Sequence, residues 1–367
     1  NTKPVSIVGQ GMDATILLRG NSVNANMLEV GVAGVDSDVP GFYASQFTLD
    51  GNKAGGASGH GLVLSRAPNA LIEQVAIQNT LGRGITGSGF GYVKVTLRGV
   101  VVVGANDWGV SLDNELDLLV EGGLYEDNLR GGIRATRSGA YSAAIVQDAV
   151  FRRNGVGVEF NNLDTGIARR LYVGDSNGVG IHGLNSDSFT AEDNLVEGGA
   201  RTVSTNGIDN GGATVVRIRR NTVRNILHGD PAHEQRGILV HHTQDCIIED
   251  NISEYNGHQG IVVASSSNVL VQGNTCSNNG QYNPTQAEGI KIWALQTFTS
   301  QITVRQNRCY DDQELVQTQR FGIKVEANPG LTIDALLVED NNFANNAVQG
   351  IVQIGNVTNY QYINNLE

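Results

Sequence analysis

From residue 61 onward the chain repeats one short pattern: a glycine, then Ile, Val or Leu, then alternating polar and apolar residues. The glycines are Gly61, Gly84, Gly109, Gly132, Gly157, Gly180, Gly207, Gly237, Gly260, Gly289, Gly322 and Gly350. Their intervals are 23, 25, 23, 25, 23, 27, 30, 23, 29, 33 and 28 residues. A floor of 23 with additions above it indicates a fixed coil with loops of variable length, whereas chance spacing has no floor. Alternation with period two predicts strands that bury one face. A second alternating segment ends in asparagine at 215–221, 246–251, 269–274, 302–307 and 336–341, and Asn194 extends that series upward. Asparagine suits sharp turns because it tolerates left-handed backbone and its amide bonds its neighbours. The shared register predicts that Asn194, Asn221, Asn251, Asn274, Asn307 and Asn341 stack as an inward ladder.

Each coil then carries three short strands: one from the glycine, one leading to the asparagine and one following it. Stacked about 4.8 Å apart, some twelve such rungs make an all-β, single-stranded, right-handed parallel β-helix. Residues 1–60 form less regular opening coils with strand-like segments at 5–7, 15–18 and 47–50, and 61–367 form the regular rungs of one continuous domain. No amphipathic capping helix precedes Val5, so the first coil has an open edge or lacks sequence before it. Cys276 and Cys309 each follow a ladder asparagine by two residues, where Val196, Val223 and Phe343 stand on other rungs. That register predicts an interior stack of small side chains, with a buried thiol pair favoured over a disulfide.

Composition narrows the partners. There are 47 glycines but only six prolines, and charged residues make up 17%. The chain needs many tight turns, and its 40% hydrophobic content supports a continuous core. The net charge of −12, with five lysines, argues against nucleic acid and anionic membranes as partners. No apolar run reaches membrane-spanning length. An odd count of three cysteines excludes a fully paired disulfide framework. The start at Asn1, without methionine, reads as a processed or trimmed terminus.

The repeat resembles the pectin-lyase-like superfamily of right-handed β-helices, which includes pectate and alginate lyases, polygalacturonase-type hydrolases, alginate epimerases and phage tailspike depolymerases. The resemblance covers nearly the whole chain and lies in the fold pattern. It implies an extracellular or cell-surface protein, with periplasm or virion as alternatives, either monomeric or a tailspike-like homotrimer. In the epimerases of this superfamily a segment like Phe47-Thr48-Leu49-Asp50-Gly51-Asn52 precedes a strand bearing Asp-Pro-His-Glu. Aligned by rung, Thr86 and Ser88 stand where the Asp and His belong, so epimerisation by that route is disfavoured. The polygalacturonase signature is absent, and Gly180-Ile181-His182-Gly183 is a faint echo of it.

Strand parity locates a groove. If the residue after each glycine is buried, the second and fourth face solvent. Down the stack these positions include Asp113, Arg134, Glu159, His182, Asp209, His241, Lys291, Trp293, Lys324 and Glu326, a chemically mixed stripe. A solvated charged face is the structural alternative. Extra residues gather before Gly207, Gly237, Gly289 and Gly322, as expected for a wall beside a binding face. The loop 228–234 brings His228, Asp230, His233 and Glu234 to that rim. Its spacing matches no metal motif, and no cofactor, calcium included, is indicated. Trp293 offers a flat face to a sugar, with Tyr141, Tyr282 and Phe298 as weaker candidates.

Such a cleft suits a linear glycan, neutral or acidic, an acidic one needing a locally basic groove against the net charge, and cleavage of a polysaccharide is the expected activity. Hydrolysis, placed first, takes Asp209 and Glu159 as the acid and base, their backbones about 9.6 Å apart. His182 and His241 tune or position them, and Asp113, Arg134, Lys291, Trp293, Lys324, His233 and Glu234 bind substrate. β-Elimination at a uronate instead needs a base and a cation or hydrogen-bond donor for the developing charge, drawn from Arg134, Lys291, Lys324, His182 and His241. A non-catalytic adhesin, scaffold or tailspike shaft is the alternative of a different class.

Overall fold

A computed structural model describes residues 3–31, 38–56, 58–88, 93–113, 116–137, 141–198, 205–227, 235–282, 287–314 and 316–367. The chain divides into two compact units, residues 1–176 and 177–367. Both are built from short parallel strands. No described helix is long and apolar enough to cross a membrane.

In the first unit a representative coil runs through Trp108–Asp113, Leu116–Glu121 and Leu124–Glu126. These pair in parallel with Gly131–Thr136, Ser142–Gln147 and Val150–Arg152 of the following coil. The three-strand rung expected from the sequence is therefore present. Toward the start of the unit the second and third strands merge, and Tyr43–Asp50 alone receives both Ser6–Val8 and Ile16–Leu18. The second unit repeats the plan. Gln235–His241, Asp245–Glu249 and Ile252–Glu254 pair with Ile261–Ala264, Ser267–Gln272 and Thr275–Ser277.

The repeating glycine has a steric cause. A Cβ on Gly84 would lie 2.5 Å from the carbonyl oxygen of Gly109, one on Gly109 2.7 Å from that of Gly132, and one on Gly260 2.6 Å from that of Gly289. These marker glycines meet the carbonyl of the next one directly, so a side chain at Gly84, Gly109 or Gly260 forces adjacent coils apart. Gly260→Ala is expected to cost about 1–3 kcal/mol, seen as a lowered thermal midpoint with the β-sheet circular dichroism of the folded state retained.

The asparagine ladder is present and runs one member further than expected. The Nδ2 groups of Asn194, Asn221, Asn251, Asn274, Asn307 and Asn341 each donate to the Oδ1 of the next member, ending at Asn365, over 2.8–3.0 Å. Each of these acceptor oxygens also takes the preceding member's backbone N–H, as Asn274 Oδ1 does from Asn251 at 3.0 Å. The expected backbone geometry needs correcting. Left-handed φ belongs to the residue before each ladder asparagine, namely Asp193, Arg220, Asp250, Gly273, Gln306 and Asp340. The preceding residue makes the bend, which frees the asparagine to turn inward.

A second ladder follows the third strand. Asn256 donates to Asn279, Asn279 to Gln319 and Gln319 to Asn346 in the second unit, and Asn128 donates to Asn154 in the first. Its signal was in the sequence, since Asn256, Asn279 and Asn346 each stand five residues after a ladder asparagine. Cys276 and Cys309 are register partners, buried and free, as is Cys246 among other interior side chains. They form the interior stack, in line with Val223 and Ser253.

Candidate functional site

On the glycine-led strands of the second unit, side chains leave the core at three positions per rung. Strand register places Asn206 over Arg236, Asp209 over Leu239 and Gly211 over His241. Leu239 and His241 stand over Val262 and Ala264, which stand over Lys291 and Trp293, and these over Lys324 and Glu326. Parity counted from the glycine finds the second and fourth positions. It misses the residue just before the glycine, where the incoming bend turns Asn206, Arg236, Gln259 and Glu288 to the same face.

A polar group occupies one end of this face. Asn206 donates from Nδ2 to Asp209 Oδ2 at 2.8 Å. Asp209 Oδ1 lies 3.7 Å from His241 Nε2, and Asp209 is only 8% exposed. Glycine at 211 lets the imidazole lie there, because a Cβ would stand 2.7 Å from His241 Cε1 and Nε2. On its other side, His241 Nδ1 is 2.9 Å from Nδ1 of His242. Burial lowers the His241 pKa below the ordinary imidazole value. Asp209 opposes that shift, and His242, Arg236 and His182 add to it. The ring is therefore neutral at pH 7 and able to accept a proton. Arg236, buried on the same strand, donates from Nε to Gln259 Oε1 at 3.3 Å. His182 is the register partner of Asp209 on the preceding strand.

The middle of the face is apolar. Leu239, Val262 and Ala264 form a buried cluster outside the coil interior, with Trp293 and Leu295 packed against it. Above it lies a pocket of about 250 Å³, bordered by Arg236, His241, His242, Trp293 and Gln296. The expectation that these outward positions face solvent is thus corrected at Asp209, Leu239, Val262, Ala264 and Lys291, all of them buried. Neighbouring outward side chains cover them.

Trp293 borders the pocket but is only part-exposed. Its Nε1 donates to Asn328 Oδ1 at 3.1 Å, and the Lys291 ammonium sits 3.6 Å from the ring centroid.

Beyond the tryptophan the face is charged but internally compensated. Glu326 takes Lys291 at 2.8 Å and Lys324 at 2.9 Å, and Lys324 also lies 3.7 Å from the buried Glu288. Burial lowers the Lys291 pKa, against the pull of Glu326 and Glu288. Burial alone would raise the Glu326 carboxyl, but hydrogen bonds from the two lysines outweigh it and hold it low. Both lysines, expected from the sequence to bind substrate, are paired with Glu326 within the protein.

Of the expected catalytic residues, His182, Asp209 and His241 lie in the second unit, where the structure brings Asp209 and His241 together. Glu159 lies in the first unit, 3.4 Å from Arg134. There Arg134 also bonds Thr136 and lies 6.0 Å from the Trp108 ring, while Asp113 pairs with Arg83 at 3.5 Å. His233 and Glu234, with the rest of the 228–234 loop, lie outside the described residues. Tyr141, Tyr282 and Phe298 are exposed, and none borders the pocket. The residues missed by sequence reasoning are Asn206, Arg236, His242 and Glu288. The first, second and fourth precede a marker glycine, and His242 directly follows a residue already singled out.

A family profile described as a right-handed β-helix region matches residues 40–196 and 179–366. No curated protein matches the sequence. Among solved structures, the A-module of the Azotobacter vinelandii mannuronan C-5 epimerase AlgE6 is similar at 15% identity, over 100% of this chain and 84% of that one, with a TM-score of 0.51. A double mutant of the periplasmic alginate epimerase AlgG is similar at 12% identity, over 90% and 77%, also with a TM-score of 0.51. PfbA, a surface adhesin of Streptococcus pneumoniae, aligns at 11% identity over 86% and 85%, with a TM-score of 0.44. The profile match and the two epimerase folds fit the pectin-lyase-like superfamily, and at these identities they establish the fold alone.

Proposed function

Because this chain belongs to the right-handed β-helix family, we propose that it binds a linear, uronate-bearing glycan along the outward face of its second unit and cleaves it by β-elimination. The observation that carries this reading is the 3.7 Å approach of a neutral His241 to Asp209, at the edge of a pocket floored by apolar side chains. His241 Nε2 takes the proton beside the uronate carboxylate, and Asp209 stabilises the imidazolium that forms. Arg236 faces the negative charge that develops on the carboxylate. The C4–O4 bond then breaks with its electron pair on O4, which is protonated by water, and a C4–C5 double bond remains. The sugar's apolar face rests on the part-exposed Trp293, which packs on the buried Leu239, Val262 and Ala264.

Hydrolysis demands a second carboxylate roughly 6.5–9.5 Å from the first in an inverting enzyme, and closer in a retaining one. Along the described outward positions of this unit the next carboxylate after Asp209 is Glu288, three strands on. That is roughly 14 Å at the usual strand spacing, and Glu288 is buried beside Lys324. Elimination is therefore placed ahead of hydrolysis. A polymeric substrate of this kind places the protein outside the cell or on its surface.

The test is a panel of polyuronates assayed for near-ultraviolet absorbance and for new reducing ends. Elimination produces both together. Reducing ends without absorbance mean hydrolysis, and binding with neither means a non-catalytic glycan module. Trp293→Ala is expected to raise KM about tenfold with kcat little changed, since the ring supplies contact area and not chemistry.

A further inference from the structure

His242 is exposed and has left-handed backbone, with φ of 56°, the conformation that Asn185, Gly212 and Ser265 take at the same turn of neighbouring coils. That geometry turns its ring back onto its neighbour, so that the two Nδ1 atoms meet at 2.9 Å and the rings stand edge to face at 79°. A contact of that length between two ring nitrogens requires one proton on the line between them. On the far side of His241, the 3.7 Å from Nε2 to Asp209 Oδ1 is too long for a hydrogen bond, so the carboxylate does not claim a proton there in the resting state.

We propose that His242 accepts a hydrogen bond from His241 Nδ1–H, which fixes His241 in the Nδ1–H tautomer with Nε2 bare on the side of Asp209, and that His242 carries the abstracted proton to solvent. This rests on the reading of His241 as the base. After Nε2 takes the substrate proton, the His241 imidazolium passes its Nδ1 proton to His242 Nδ1. His242, now the imidazolium, releases its Nε2 proton to water or buffer. One proton enters at the pocket and one leaves at the surface, and both rings finish neutral, each in the other tautomer. Return to the resting state needs the two rings to re-exchange protons with solvent.

The groups facing His241 are consistent with this role. Asp209 favours the charged ring while the proton is held, whereas His242, Arg236 and His182 disfavour it and drive the proton onward. Gly211, Ala264 and Trp293, the register neighbours in the same column, carry no titratable group. His242 is thus a positioning and relay residue that acts through His241.

The experiment uses the full chain labelled with ¹⁵N-histidine. Long-range proton–nitrogen spectra near neutral pH are expected to show His241 protonated at Nδ1 alone. In His242→Ala the resonance pattern is expected to revert to the commoner Nε2–H form. In His242→Gln, whose amide oxygen still accepts, the Nδ1–H form is expected to persist. Turnover of both variants on the polyuronate identified by the panel should fall about tenfold and recover with added imidazole, while thermal midpoints stay put. Wild-type His241 carrying its proton on Nε2 would overturn the tautomer assignment whether or not a substrate is found. So would an unchanged tautomer in His242→Ala. A loss that imidazole does not rescue would overturn the relay. Full activity in a His241→Gln variant speaks instead against His241 as the base.

Discussion

His241→Gln is expected to lower kcat/KM on the cleaved polyuronate by about 10²–10⁴-fold, the usual contribution of a positioned general base. Glutamine retains some hydrogen-bonding capacity beside Asp209 and cannot take a proton, so the loss should fall on kcat with KM nearly unchanged. The pH dependence gives a second handle. Burial holds the folded-state pKa of His241 below the unfolded imidazole value of about 6.5, so the base form survives into mildly acidic solution. The acid limb of the kcat/KM profile should therefore fall below that value, and in the glutamine variant this limb should vanish.

The same shift has a stability consequence of definite sign. Between about 6.5 and the lowered folded value, the unfolded chain binds a proton that the folded chain refuses. Stability lost through His241 accrues as pH falls across that window and is absent above it. Urea unfolding at pH 7.5 and at pH 5.5 checks this, since the drop between them should shrink in His241→Gln. An activity that is indifferent to the substitution would remove His241 from the mechanism.

Asn274→Ala is expected to be the most destabilising single change among the ladder and glycine positions, at about 5 kcal/mol. Asn274 Oδ1 accepts from the backbone N–H and the amide of Asn251, while its Nδ2 group donates to Asn307, Ile248 and Gln272. Alanine leaves the backbone N–H of Asn251 and one N–H of its side-chain amide buried without an acceptor, at about 1–3 kcal/mol each. Water has no route to them, because Asn251, Asn274 and Asn307 are each about 1% exposed. In a stacked array each coil leans on its neighbours, so the loss should appear as a lower denaturant midpoint and, if the array splits there, as a shallower transition. A shift of less than about 1 kcal/mol would show that the ladder follows the turn and does not hold it. Asn341→Ala, near the end of the ladder, should cost less because its partner Asn365 is already part-exposed.

Much of this architecture is legible in the chain because β-strand alternation and turn chemistry are local. The spacing of Gly237, Gly260 and Gly289 reflects a backbone contact that tolerates no Cβ. The Asn221-to-Asn341 series reflects an amide that bonds the same group one coil away. Both are repeated constraints, and repetition makes them visible. The site was less legible for a related reason. Asp209 and His241 could be paired from register, but Arg236 escaped because the bend before each glycine breaks the simple count of two. His242 escaped because its role depends on a left-handed residue folding one imidazole back onto the other. The lysines misled in the opposite direction. Lys291 and Lys324 stand in the sequence as members of a column that also holds Glu326, and only the approach of Glu326 to both shows that their charge is spent within the protein.

The order of residues alone therefore determined the coil length, the three strands per coil, the inward asparagines and the membership of one outward column. Those properties follow from period-two geometry and from steric limits that act within a few residues. The tertiary structure decided what that column is chemically: a histidine and carboxylate at one end, a covered apolar saddle in the middle and a self-neutralised charge cluster at the other. Burial, side-chain lean and pairing across coils set these outcomes. Many of them arise between residues more than twenty positions apart, as Asp209 with His241 and Lys291 with Glu326 do, at separations that no local pattern records.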